Sequence, residues 1–93
     1  MTKALNLISL ENLGTINRNK VTIESLTLWF SYKTIVAFQD TFMELVCCEN
    51  KWSKTTGRFL NDICPNHKDR LEKNIFNKKL LEALKRYNLY IEN

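Results

Sequence analysis

The chain has 93 residues, enough for one hydrophobic core but with too little apolar surface left over for a second, so residues 1–93 read as a single small domain. A hydrophobic fraction of 44% and a charged fraction of 26% exclude wholesale disorder, and two Gly and one Pro exclude long loops. The net charge of +4 is uneven: residues 1–50 carry four Lys/Arg against five Asp/Glu and residues 51–93 carry ten against five, so an electrostatic partner meets the second half.

Three cysteines, two of them adjacent, cannot form a full intrachain disulfide framework and fit a reducing compartment. The first ten residues, MTKALNLISL, carry Asn6 and Ser9 inside a broken apolar run with no cleavage pattern after it. No stretch approaches the roughly 20 apolar residues of a membrane span. The expectation is a cytoplasmic protein without membrane contact, made by a cell or by a virus inside its host.

Residues 4–13 are mostly apolar with weak helical spacing and read as a short strand or a helical turn. Asn17-Arg18-Asn19 is a turn signal between the β-branched stretches Gly14-Thr15-Ile16 and Val21-Thr22-Ile23, which predicts a first hairpin. In residues 26–32, Leu26, Leu28, Phe30 and Tyr32 alternate with Thr27, Trp29 and Ser31, a strand with one face inward. The chain resumes as Thr34-Ile35-Val36-Ala37-Phe38 and again over 42–48, and the short connections imply an antiparallel meander.

Beyond residue 50 the period changes. Ser53 is a good N-cap, and Trp52, Thr56, Phe59, Leu60 and Ile63 fall at helical spacing until Pro65, which predicts a helix over 53–64. Phe76, Leu80, Leu84 and Tyr87 form the stripe of a second amphipathic helix over 74–87, and Leu89, Tyr90 and Ile91 add an edge strand or pack on the core. Strands first and helices afterwards give an α+β fold: an antiparallel β-meander sheet followed by two amphipathic helices packed on one face.

Phe30-Ser31-Tyr32-Lys33-Thr34-Ile35-Val36-Ala37-Phe38, followed by Asn50-Lys51-Trp52-Ser53-Lys54-Thr55-Thr56-Gly57-Arg58-Phe59-Leu60-Asn61, resembles a small uncharacterised domain of haloarchaeal, archaeal-virus and phage proteins. That domain's pattern runs Ser-Tyr-x-Thr-x-Val-Ala-Phe and then Asn-x-Trp-Ser-x-Thr-Thr-x-x-His-Leu-Asn. The match covers residues 21–84 in order and implies a virus or mobile element as source, with Asn50–Asn61 as the marked segment. It brings no activity with it. Lys33 stands where the pattern has Gly and Phe59 where it has His, so any role of that His is absent here.

Cys64-Pro65-Asn66-His67 spaces a Cys and a His as zinc ligands, with Cys47 and Cys48 elsewhere. Adjacent strand residues point to opposite faces, so those two cannot both converge without a bulge, and buried inert thiols with a surface His are expected instead. A Cys64–His67 nucleophile pair has no third residue to orient the base. The two glycines stand 43 positions apart, which excludes a Gly-rich phosphate loop. No catalytic residue and no cofactor is expected.

Lys51, Trp52, Lys54, Thr55 and Arg58, with Thr56 among them, surround a helix N-terminus, where free N–H groups and the dipole favour an anion. The competing reading is structural: Trp52 anchors the helix and the hydroxyls satisfy backbone groups. Trp29 projects from the face opposite Leu28 and Phe30, and is either an exposed anchor for a partner or covered by residues 4–13.

The resulting expectation is a non-enzymatic binding protein of viral or mobile-element origin that occupies the surface of a host protein or ribonucleoprotein complex, as anti-defence proteins such as anti-CRISPRs do. The alternative is a nucleic-acid-binding protein using the basic C-terminal half, with stacking on Trp52. An open sheet edge leaves room for a homodimer.

Overall fold

β-branched and aromatic residues at period two build the first half of the chain, and helical periodicity builds the second. The computed structural model describes residues 8–15, 17–40 and 44–89. In chain order the elements are β1 (Ile8–Asn12), β2 (Arg18–Ile23), β3 (Leu26–Ser31), β4 (Thr34–Gln39), β5 (Val46–Cys48), α1 (Lys54–Ile63), a 3-10 turn (His67–Asp69), β6 (Arg70–Leu71) and α2 (Lys73–Arg86). Among the described residues the strands form one sheet in sequence order, antiparallel from β1 to β5 and parallel between β5 and β6. The α+β meander read from the sequence is therefore the fold.

Ile23 pairs with Leu26 and Ser31 with Thr34, which leaves Glu24-Ser25 and Tyr32-Lys33 as two-residue loops. The first residue of each loop takes a positive φ, 55° at Glu24 and 58° at Tyr32. Such turns match the right-handed twist of the flanking strands. The first hairpin turns earlier than its Asn17-Arg18-Asn19 signal: β1 ends at Asn12, Gly14 carries the turn with φ of 98°, and Arg18 and Asn19 already belong to β2. The Asn12 side chain secures this turn by donating to the carbonyl of Thr15. Of the segment 4–13, residues 8–12 are a strand; residues 4–7 lie outside the described residues, as do Phe42 and Met43 of the strand expected over 42–48.

One irregularity sets the sidedness of the sheet. Trp29 pairs with Ala37 but Phe30 pairs with Ile35, so Val36 is an extra residue in β4. The bulge turns Val36 and Ala37 to the same face and returns Phe38 to the other. Both faces of β4 and β5 are consequently apolar, and each needs a cover.

That requirement corrects the expectation of two helices on one face. Leu26, Leu28, Phe38 and Cys48 pack with Phe76 and Ala83 of α2. Val36, Ala37 and Cys47 pack with Phe59 and Leu60 of α1. The helices thus lie on opposite faces. Parallel β5 and β6 cannot be joined by a hairpin, and α1 is the crossover between them; α2, entering after β6, takes the face that α1 leaves bare. Cys47 and Cys48 are both fully buried because successive strand residues enter different cores.

Each helix is fixed at its ends. Ser53 caps α1, its hydroxyl accepting from the Thr56 N–H at 3.3 Å, and the helix stops one residue short of Cys64-Pro65. In α2 the Lys73 N–H donates to a Glu49 carboxylate oxygen at 3.2 Å. At its far end the Tyr87 hydroxyl donates to Asp40 at 2.6 Å. The Phe38 and Phe76 rings meet at 5.6 Å with a tilt of 56°, a geometry that contributes about 0.5–1.5 kcal/mol beyond area burial. Leu89 packs on the α2 core, while Tyr90 and Ile91 lie outside the described residues. No described helix is long and apolar enough to cross a membrane.

Candidate anion-binding groove on helix α1

The six residues singled out in the sequence part company in the structure. Trp29 is neither fully exposed nor fully covered: it is half-buried on the α1 face, packed in the core that includes Leu13 and Ile63. It lines a cleft of about 390 Å³ floored by Phe59 and rimmed by the Arg18–Asp62 ion pair at 3.0 Å. Trp52 is half-buried and touches both cores, and the Lys73 ammonium sits 5.6 Å from its ring centroid. It joins the two halves of the fold. Lys51 pairs with Glu49 at 3.7 Å and lines a separate recess with Glu72 and Lys73.

Lys54, Thr55 and Arg58 remain on the outer side of α1, all exposed. Lys54 and Arg58 stand four residues apart and therefore on one stripe, and neither makes an ion pair among the described residues. They border a shallow groove of about 330 Å³ whose other wall is His67 and Arg70, with Asn50, Gly57 and Asn61 between. Among the described residues no carboxylate lines it.

The groove's base is held by a hydrogen-bond set that fixes which atoms face outward. Arg70 donates through Nε and Nη2 to the Cys64 carbonyl at 3.1 and 2.9 Å and through Nη2 to Asn61 Oδ1 at 2.8 Å. A guanidinium only donates, so Asn61 must present its oxygen there. His67 Nε2 lies 3.2 Å from the same oxygen and must therefore carry a proton. Asn61 Nδ2 takes part in none of these bonds, and the groove presents donors from Lys54, Arg58 and Asn61. Preorganised donors without a competing carboxylate suit an anion.

At the mouth of α1, where the sequence placed the anion, Ser53 Oγ takes the Thr56 N–H and the Asn50 side chain braces the entering backbone. Asn50 Oδ1 accepts from the Trp52 N–H at 3.0 Å and its Nδ2 donates to the Ser53 carbonyl at 3.1 Å. Gly57 makes room for that side chain, since a Cβ there would lie 2.8 Å from Asn50 Nδ2. Thr56, buried beneath, shares a 2.8 Å hydroxyl hydrogen bond with buried Ser31 on β3. Asn50, Trp52, Ser53, Thr56 and Ser31 are thus the joint between sheet and helix; of the two cations outside it, Lys54 is the first residue of α1 and Arg58 lies one turn further along. Of the two departures noted in the sequence, Lys33 has no positive φ and needs no Gly, and Phe59 is a core residue beneath the Arg18 guanidinium, 5.2 Å from the ring centroid.

Cys47 and Cys48 are held in the protonated form by their setting. Burial, followed by the hydrogen bond with Cys64, pushes the Cys47 thiol up to about 12 from its ordinary 9.0, and burial pushes Cys48 up to about 11. Cys64 Sγ approaches the Asn66 carbonyl at 3.8 Å, and among the described residues no group of three His, Cys, Asp or Glu converges to hold a metal ion. Sequence reasoning weighed His67 as a ligand, a base or a surface residue, held Asn50 and Asn61 only as the ends of the marked segment, and passed over Arg70. The placing of Lys54 and Arg58 around the start of a helix was the signal nearest to the groove.

The fold and groove describe a small α+β domain with a cationic face. The chain belongs to a family of unknown function, DUF8033, whose pattern matches residues 5–78. No curated protein and no solved structure matches it.

Proposed function

We propose that the protein is a non-enzymatic binding module that grips the phosphate backbone of a nucleic acid through the outer side of α1. The observation that carries this reading is the carboxylate-free groove between Lys54, Arg58, His67 and Arg70. Phosphate contacts from such donors bind without sequence preference and release condensed counterions. The charge asymmetry agrees, because the excess of Lys and Arg lies in residues 51–93. A second reading, a viral or mobile-element inhibitor seated on a host protein, is favoured by the Trp29 cleft, whose Phe59 floor suits an apolar side chain of a partner.

Fluorescence anisotropy with labelled duplex DNA, single-stranded DNA and RNA separates the two. On the nucleic-acid reading, binding weakens steeply between about 50 and 200 mM salt, and the double variant Lys54→Gln/Arg58→Gln lowers the log–log salt slope by about 1.8 on duplex DNA, two phosphate contacts at 0.9 each. Lys51→Gln leaves the slope unchanged, since Lys51 is paired with Glu49 outside the groove. No binding at 50 mM salt, or binding that ignores the double substitution, sinks this reading. Capture of a host protein that is lost in Trp29→Ala and kept in the double variant supports the second.

A further inference from the structure

We infer that two copies of this chain pair antiparallel along the outer edge of β1, with Leu10 opposite Leu10 of the second copy. β1 has β2 as its one neighbour among the described residues. The Leu13 N–H donates to the Arg18 carbonyl at 2.8 Å, and the register sets Asn12 against Asn19 and Leu10 against Val21. The alternation of an antiparallel ladder then commits the backbone groups of Ser9 and Glu11 to β2 and turns those of Ile8, Leu10 and Asn12 outward. The outward N–H and C=O groups form a template for another strand.

Nothing in the strand protects that edge. Natural sheets blunt long edges with Lys, Pro or a bulge, and Ile8-Ser9-Leu10-Glu11-Asn12 has none of these. Leu10 is instead 71% exposed, the most exposed large apolar side chain described, and it continues the Val21–Leu28–Phe38 row of the α2 face. The pairing is self-complementary in charge as well. A twofold axis at Leu10 sets Glu11 against Ser9 of the second copy, and Glu11 is already neutralised by Lys20 at 3.2 Å.

The opposite edge, β6, is two residues long and leads directly into α2. With one usable edge the assembly closes at two copies and cannot grow into a filament. A twofold axis perpendicular to the sheet keeps faces matched, so both α1 helices lie on the same side of the joined sheet. The dimer stands independently of what the α1 groove binds.

Light scattering behind size exclusion, at about 5 and 100 µM, reads the state of the full chain. The expected result is a dimer mass at the higher concentration. Leu10→Lys should weaken association at least tenfold with an unchanged circular dichroism spectrum, because it opposes two ammonium groups at the axis, whereas Leu10→Ile should keep it. Leu10→Cys should be joined to its counterpart by a short bis-maleimide in high yield. A monomer at 100 µM, as when residues 90–93 of the same chain occupy the edge, overturns the inference, and so does a dimer indifferent to Leu10→Lys and not crosslinked at position 10.

Discussion

The hydroxyl pair Ser31–Thr56 is the one buried polar bond tying β3 to α1 in the side chains described, and its removal gives a sharp test of how the joint works. The two residues are 4% and 3% exposed and their oxygens lie 2.8 Å apart. Thr56→Val keeps the shape of the side chain but strands the Ser31 hydroxyl away from water, which costs about 1–3 kcal/mol. Ser31→Ala strands Thr56 Oγ1 at a similar cost. The double variant leaves no orphan, so its loss should be smaller than the sum of the singles by about 1–2 kcal/mol. For a chain of this length each kcal/mol lowers Tm by about 4–8 °C, which is easily resolved. Urea titrations followed by circular dichroism, with an unchanged m value, supply the four stabilities of the cycle. Additivity within about 0.3 kcal/mol would refute the reasoning and mean that each hydroxyl finds water when its partner is gone.

Gly57→Ala gains about 1 kcal/mol of helix propensity but forces Asn50 off its two backbone partners, each bond contributing about 0.5–1.5 kcal/mol. A net loss of about 1 kcal/mol is expected by denaturant titration, and the same substitution should become stabilising in an Asn50→Ala background; a stabilised single variant contradicts the contact. The thiols predict an alkaline limit. Because Cys47 and Cys48 are raised in the folded state, the unfolded chain ionises first, so their contribution is complete below pH 9 and is lost from pH 9 upward through about 11 to 12. Unfolding free energies from urea titrations should fall by up to about 1.4 kcal/mol per pH unit for each thiol across that window, and the midpoints with them. Midpoints that stay flat from pH 9 to 10.5 exclude it.

Where a local rule decides the structure, the sequence is readable. Ser53 and Pro65 bracket α1, and the Phe76–Leu80–Leu84–Tyr87 stripe places α2, because caps, breakers and helical period act within a few residues. The bulge at Val36 has no local signal: Thr34-Ile35-Val36-Ala37-Phe38 is apolar throughout, and only pairing with Trp29 and Phe30 decides which residue is the extra one. The assignment of helices to faces followed from that bulge and from the parallel joint of the two-residue β6, which is too short to show periodicity. Lys54 and Arg58 were marked by their position on the helix. Arg70 was not, and Asn61 was marked only as the end of a segment, since their part in the groove comes from a fold-back around Pro65 that brings together residues with no shared spacing.

The order of elements along the chain also governs how the molecule emerges from the ribosome. Among the described residues five strands precede both helices, and the hairpins joining β1 to β4 close over loops short enough to form within microseconds. β6 cannot join until α1 has folded and crossed over, and α2 arrives later still. A nascent chain that has left the ribosome only as far as Asn50 therefore exposes β4 and β5, apolar on both sides, before either described helix can cover them. That interval, when the meander exists without its helices, is the stage at which the protein depends most on chaperones and at which truncation products should precipitate.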